Sequence, residues 1–294
     1  MGELLKPLHL SLATRNIYHG VLKLLAILQH DWPDFVAVYS TKICAHIPSH
    51  CVQFLNIVLE AQPTGPKLPD PLQPGLKLDR IDEMRLLPQN AYDLEGPLRQ
   101  TGLIDVLEQA LANGPSEDSV AQITHTAQQK QPGLTGAGFV PINVDLKLID
   151  SLVMYIGVHA IKRARQKGGA TFVRTSNDAA LISMLVHELN AEARYYLITS
   201  MVNQLRYPNA HTHYFSQALL ELFGNDNNDQ EESDISQQIL RVLLERATIP
   251  QPVPWGLLIT ILELVKNEKY NFFDIPFIKS SPEVSNDGSV FRRT

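Results

Sequence analysis

Two histidines one residue apart, His211 and His213, stand in the stretch QLRYPNAHTHYFSQALLELF at 204–223. Imidazoles so close in sequence are the raw material of a metal centre or of acid–base catalysis. Pro208 disfavours helical geometry at Tyr207, so the preceding helix ends there, and Asn209 is placed to accept a backbone N–H from the exposed first turn of the next helix. Both histidines then lie in that turn, where a separation of two aims them about 200° apart, poor geometry for sharing one ion. One imidazole is expected to point inward and the other outward. Tyr207, Pro208, Asn209, His211, His213 and Tyr214 thus read as a corner between helices, and Pro254, Trp255 and Gly256 as the start of the last long helix. These positions either hold shape or border a groove for a partner.

Other patterns lose their chemistry on inspection. HELNAE, 187–192, begins like the zinc-protease helix H-E-x-x-H, but Ala191 stands where the second ligand belongs. KRARQK, 162–167, places four cations in six residues and, with Lys147 or Arg174, would make an RNA-binding helical domain the alternative function. The same cations also suit the last turn of a helix, at the negative end of its macrodipole. GNDNNDQEESD, 224–234, lacks the register of a calcium loop and reads as a solvated connection. GLTGAGFVP, 133–141, is a turn without the phosphate-loop pattern. No G-x-S-x-G occurs, and Cys44 and Cys51 sit in apolar helical text without a charged neighbour to activate them. No catalytic residue, cofactor or metal ligand is assigned.

The elements that position these residues are helical. Ile17, Gly20, Val21, Leu24, Leu25 and Leu28 recur at three and four along one face of Leu4–Leu28, a face expected to be buried. Pro33 restarts a helix with Phe35, Val36, Tyr39 and Ile43, and Pro48 begins a third carrying Cys51, Phe54, Leu55 and Val58. PTGPKLPDPLQPG forbids continuous helix and reads as an extended crossing. Short helices are expected to about Gln128, then a long one from Leu146 to Gly168-Gly169. Further helices are capped by Ser176, Asn190 and Asn209, followed by 235–246 and 254–266. No segment shows the period-two alternation of a strand.

The fold class is therefore all-α, a HEAT-like helical-repeat array with proline-rich connectors. It is expected to form one elongated domain over 1–285, with sub-parts at 1–140 and 141–285, and a flexible tail at 286–294. The 25 basic and 31 acidic side chains give a net charge of −6, which offers no global attraction to nucleic acid or anionic lipid. Two cysteines with six residues between them make no disulfide framework and fit a reducing compartment. Met1-Gly2 runs directly into apparent helix, as in a segment taken from within a longer polypeptide.

Three stretches carry a family resemblance: KLPDPLQPGLKLD (67–79), NQLRYPNAHTHYF (203–215) and VLLERATIPQPVPWGLLITILELVKN (242–267). They resemble the C-terminal homology domain of the large scaffold subunit, Not-one, of the Ccr–Not deadenylase complex. The resemblance implies a helical domain without catalytic activity that anchors the N-terminal regions of the Not-two and Not-three/five subunits. It also implies a part in mRNA deadenylation, decay and translational repression, a cytoplasmic location with a nuclear pool, and other Ccr–Not subunits bound elsewhere on the scaffold. The prolines at 69, 71 and 74 become a fixed crossing.

Overall fold

The computed structural model describes residues 11–65, 68–129, 143–224, 230–249 and 252–279. The glycine-rich run at 133–141, most of the acidic loop (225–229) and the tail at 286–294 lie outside the described residues. All regular structure among the described residues is helical.

The chain opens with α1 (Leu12–Asp31), α2 (Pro33–Cys44) and α3 (Val52–Glu60). Ser11 caps α1 by accepting from the Thr14 amide, and Pro33 occupies the first turn of α2, where its missing N–H costs nothing. Two short 3-10 turns, Leu78–Arg80 and Asp82–Arg85, follow the proline-rich crossing, and then come α4 (Gly96–Gln100), α5 (Ile104–Asn113) and α6 (Glu117–Ala127). The second half holds α7 (Leu146–Lys167), α8 (Asn177–Glu188), α9 (Ala191–Val202), α10 (Ala210–Gly224), α11 (Gln230–Ala247), α12 (Trp255–Lys266) and a last turn, α13 (Pro276–Lys279).

Local signals set most boundaries. Gly114 and Gly168 end α5 and α7 at φ 101° and 65°, backbone that a side chain rarely adopts. Ser176 Oγ accepts from the Ala179 amide and Asn190 Oδ1 from the Ala193 amide, so α8 and α9 begin at their capping residues. α7 is the central post, packed against α4, α8, α9 and α10. At Gly157 the Phe215 ring of α10 lies where a β-carbon would stand, 2.6 Å from that position, so the two helices close on each other through a missing side chain. One continuous apolar core runs from Leu98 to Ile278, with Tyr214 and Phe215 fully buried in it. Each such aromatic contributes about 1.5–3 kcal/mol by leaving water.

Two expectations need correction. The apolar face of α1 is not buried: no residue of that helix is, and Ile17 and Leu24 remain 43% and 53% exposed. Periodicity identifies the apolar side of a helix, but neighbours decide whether it is covered, and only Tyr18, Val21, Leu22, Leu25 and Leu28 meet small clusters formed with α2 and α3. The third helix also starts later than Pro48, whose carbonyl instead accepts the Cys51 amide in a turn before α3.

Candidate functional site

The helical corner at 204–214 is built from the backbone outward. Asn209 Oδ1 accepts the His211 and Thr212 amides at 2.9 and 3.1 Å, which satisfies donors in the first turn of α10. Its amide nitrogen donates back to the Tyr207 carbonyl at 2.6 Å, closing the turn that Pro208 forces. Thr212 Oγ1 accepts the Arg206 amide at 3.1 Å and lies within reach of the Gln204 and Tyr207 carbonyls. Pro208, Asn209, His211, Thr212 and Tyr214 are all buried, while Tyr207 and His213 are half-buried.

Four distant segments converge on this corner. Arg206 donates to the carbonyls of Ala37 in α2 and Ala61 at the end of α3, at 3.0 and 3.3 Å. The Ala210 amide donates to Leu86 O at 2.8 Å, tying in the connector. The Gly256 amide donates to Arg206 O at 2.6 Å, and a β-carbon at Gly256 would collide with Thr212 and lie 2.8 Å from Arg206 O. Next to it, Trp255 Nε1 donates to Pro69 O at 2.8 Å, and the indole packs on Met84 and Ile259. The crossing and the start of α12 are thereby clamped together, with Pro254 as the residue before the helix. The nine candidate positions are thus gathered around one buried junction.

Its electrostatics are those of a dry interior. Burial, reinforced by the Arg206 charge, pushes His211 down to about 3, so the imidazole is neutral at physiological pH. Burial lifts the Cys44 thiol to about 12 against the opposing pull of Arg246 and Arg206. An imidazole too weakly basic to accept a proton near neutral pH and a thiol that stays protonated are poor catalytic groups. Among the described residues, no group of three or more His, Cys, Asp or Glu is placed to hold a metal ion. The HELNAE pattern is broken across two elements, because α8 ends at Glu188 and Ala191 starts α9.

The basic cluster is partly spent internally. Arg163 pairs with Asp178, a fully buried carboxylate that also accepts from Tyr214 Oη at 3.1 Å. Burial first, and the Asp178 charge second, hold the Tyr214 hydroxyl well above its usual range. Arg165 Nη2 donates to Arg85 O at 2.6 Å, and Arg174 pairs with Glu221 at 2.5 Å. Lys162 and Lys167 are exposed at one end of α7, while Lys147 lies at the other, about 22 Å from Lys162 at 1.5 Å per helical residue.

Several working residues have no signature in the sequence. Arg206 is the hub of the junction, yet it stands between Leu205 and Tyr207 without a nearby acid to mark it. Asn56, fully buried in α3, donates to Arg246 O at 2.8 Å, and Arg246 Nη2 donates to Asn203 Oδ1 at 2.6 Å, so α3 is docked to α11 by polar bonds. The only available hint is compositional: single polar residues embedded in apolar helical text.

Comparison with known proteins places this arrangement. A family model described as "CCR4-Not complex component, Not1" matches residues 1–289. The CCR4-NOT transcription complex subunit let-711 of Caenorhabditis elegans is 35% identical over 97% of the chain, which spans 10% of that relative. General negative regulator of transcription subunit 1 of Schizosaccharomyces pombe is 34% identical over 91% of the chain, which spans 12% of it. The chain thus corresponds to about a tenth of the length of these curated relatives. Among solved structures, the NOT1 superfamily homology domain from Chaetomium thermophilum superposes with a TM-score of 0.91 at 48% identity, covering 99% of this chain and 57% of that one. A Not1 C-terminal domain in complex with Not4 gives 0.81 at 27% identity, covering 92% and 54%.

Proposed function

The chain belongs to the Not1 family of CCR4-Not complex components, and from that membership we propose that it is a non-catalytic scaffold domain on which other subunits of the complex dock. The observation that carries the reading is the family match over 1–289 together with a solved relative of the same fold that is bound to a Not subunit. The physical form supports it. An array of helix pairs presents grooves in which extended or amphipathic segments bury apolar side chains. The junction around Arg206 holds α2, α3, the connector and α12 in fixed relation, as a docking surface requires.

The partners of this reading are the N-terminal regions of Not-two and Not-three/five, through which the domain contributes to mRNA deadenylation, decay and translational repression in the cytoplasm and nucleus. Segments that are disordered alone lose ordering entropy on docking, so a stable complex calls for a footprint of about 2,000 Å² or more. Light scattering after size exclusion tests it. The chain mixed with both regions is expected to elute as one ternary species. A folded chain that stays monomeric beside them refutes the docking role.

A further inference from the structure

Ile161, Ala164 and Arg165 in the last turns of α7, and Gly168 just after it, recur at three and four and so share one side of the helix. They form one wall of a cleft of about 520 Å³, whose other walls are the 3-10 turn at 82–85, the loop at 169–171 and the first turn of α10. Its floor is apolar, because Met84, Ile161, Ala164 and Ala210 are all buried. A β-carbon at Gly168 or Gly169 would meet nothing within 4 Å, so an extended backbone can come close along that side.

The charged lining has one sign. Arg85 and Arg165 are both exposed at the cleft, and His213 adds an imidazole. No carboxylate lines it, although Asp82 and Glu83 stand in the same turn as Arg85. The 2.6 Å bond from Arg165 Nη2 to Arg85 O holds one guanidinium against the turn that carries the other. Arg163 and Arg174 are committed to Asp178 and Glu221, whereas Arg85 and Arg165 form no ion pair among the described residues. The Gly168 and Gly169 amides both return to Ala164 O, so an anion here is held by guanidinium groups and not by a backbone nest.

We propose that this cleft binds an acidic, extended protein segment, with an aliphatic side chain on the apolar floor and flanking carboxylates paired with Arg85 and Arg165. The proposal rests on the docking role only for the partner's being a protein, and it adds the chemistry of the segment and the place that holds it. Two observations favour protein over the RNA that KRARQK first suggests. Apart from His213 no ring lines the cleft, so a base has no platform on which to stack, whereas the buried aliphatic floor suits a side chain. Of the four cations in that motif only Arg165 lines the cleft, and a net charge of −6 gives nucleic acid no general attraction.

The probe is a short synthetic peptide in which glutamates flank a leucine on both sides, beside a counterpart with glutamine at each acidic position. NMR of isotope-labelled methyl groups follows Met84, Ile161, Ala164 and Ala210 during titration. The acidic peptide is expected to shift these methyls and to bind about tenfold more tightly than its neutral counterpart, through two exposed ion pairs. Arg85→Gln with Arg165→Gln should abolish that advantage. Both arginines are exposed, so the double variant should keep its circular dichroism and unfolding midpoint. If it unfolds instead, the comparison of the two peptides on the wild-type chain decides alone. Unshifted methyls, equal affinity for the two peptides, or an advantage that survives in the folded double variant overturns the proposal. An oligouridylate that shifts the same methyls more strongly than the peptide also overturns it and gives the cleft to RNA. Light scattering keeps the two readings apart. A ternary complex with Not-two and Not-three/five beside unmoved methyls sinks the cleft proposal alone, and moved methyls without a ternary species sink that docking role alone.

Discussion

Replacing Gly256 by alanine adds one methyl group at the most crowded backbone approach of the junction. The new carbon would overlap the Thr212 methyl and lie 2.8 Å from Arg206 O and 2.9 Å from Leu205 C. Two of these neighbours are backbone atoms held by the Asn209 and Thr212 bonds, so relief requires α12 to slide off the corner. Overpacking of this kind costs about 1–3 kcal/mol. The 2.6 Å bond from the Gly256 amide to Arg206 O is lost with it, at about 1 kcal/mol. Alanine in place of glycine returns about 1 kcal/mol of helix propensity. The net loss is about 2 kcal/mol, equivalent to a fall of roughly 4 °C in Tm for a chain of this size. Urea unfolding followed by tryptophan emission measures it, since Trp255 is 5% exposed and adjoins the site. Gly20→Ala is the control: it lies in a helix with open space around it, so it should be neutral or stabilising. If Gly256→Ala unfolds within about 0.5 kcal/mol of wild type, or Gly20→Ala loses as much, the close-approach reasoning fails.

Three further outcomes follow from the same geometry. Arg206→Met removes both bonds to α2 and α3 and should cost about 2–4 kcal/mol, with faster hydrogen exchange in 33–60 than in α7; uniform acceleration would contradict the hub assignment. Trp255→Phe keeps the packing but loses the bond to Pro69 O, so about 1 kcal/mol should go, with new proteolytic cleavage near Pro71–Pro74; an uncut crossing would refute the clamp. Burial raises Asp150 to about 6 despite the hydrogen bond from Ser200, so its ionisation opposes folding above that pH. Asp150→Asn should therefore be more stable than wild type by about 1–3 kcal/mol at pH 8, a gap that closes as pH falls from about 6 to 4. His211, held at about 3, works in the opposite sense, because its unfolded form takes up a proton below about 6.5 and stability falls as the pH falls. The difference between wild type and Asp150→Asn isolates the carboxylate, and a pH-independent gap would count against its burial.

The legible part of this fold was local. Ser176, Asn190 and Asn209 cap helices through atoms two or three residues away, and Gly114 and Gly168 end them through their own backbone angles, so each signal lies within one helical turn of its effect. At the corner, sequence reasoning reached the turn chemistry of Pro208 and Asn209 and the inward turn of one histidine. Arg206 escaped it because its acceptors lie 169 and 145 positions away, and nothing in its neighbourhood encodes them. The same limit explains the misread face of α1. An apolar stripe states a need for cover, whereas the cover itself is a property of other segments.

The reach of Arg206 has a consequence in time. On a ribosome the carbonyl of Ala61 is made 145 residues before its guanidinium partner, and that of Ala37 is made 169 before it. At about 5–20 residues per second, α1–α3 wait roughly ten to thirty seconds after synthesis before the corner that anchors them exists. Throughout that interval the first three helices have their own small clusters and the bonds of Asn90 and Ala91 to Thr41 and Val38, but not the Arg206 anchor, so translation sets the order: α1–α3 are made well before the corner that locks them in place.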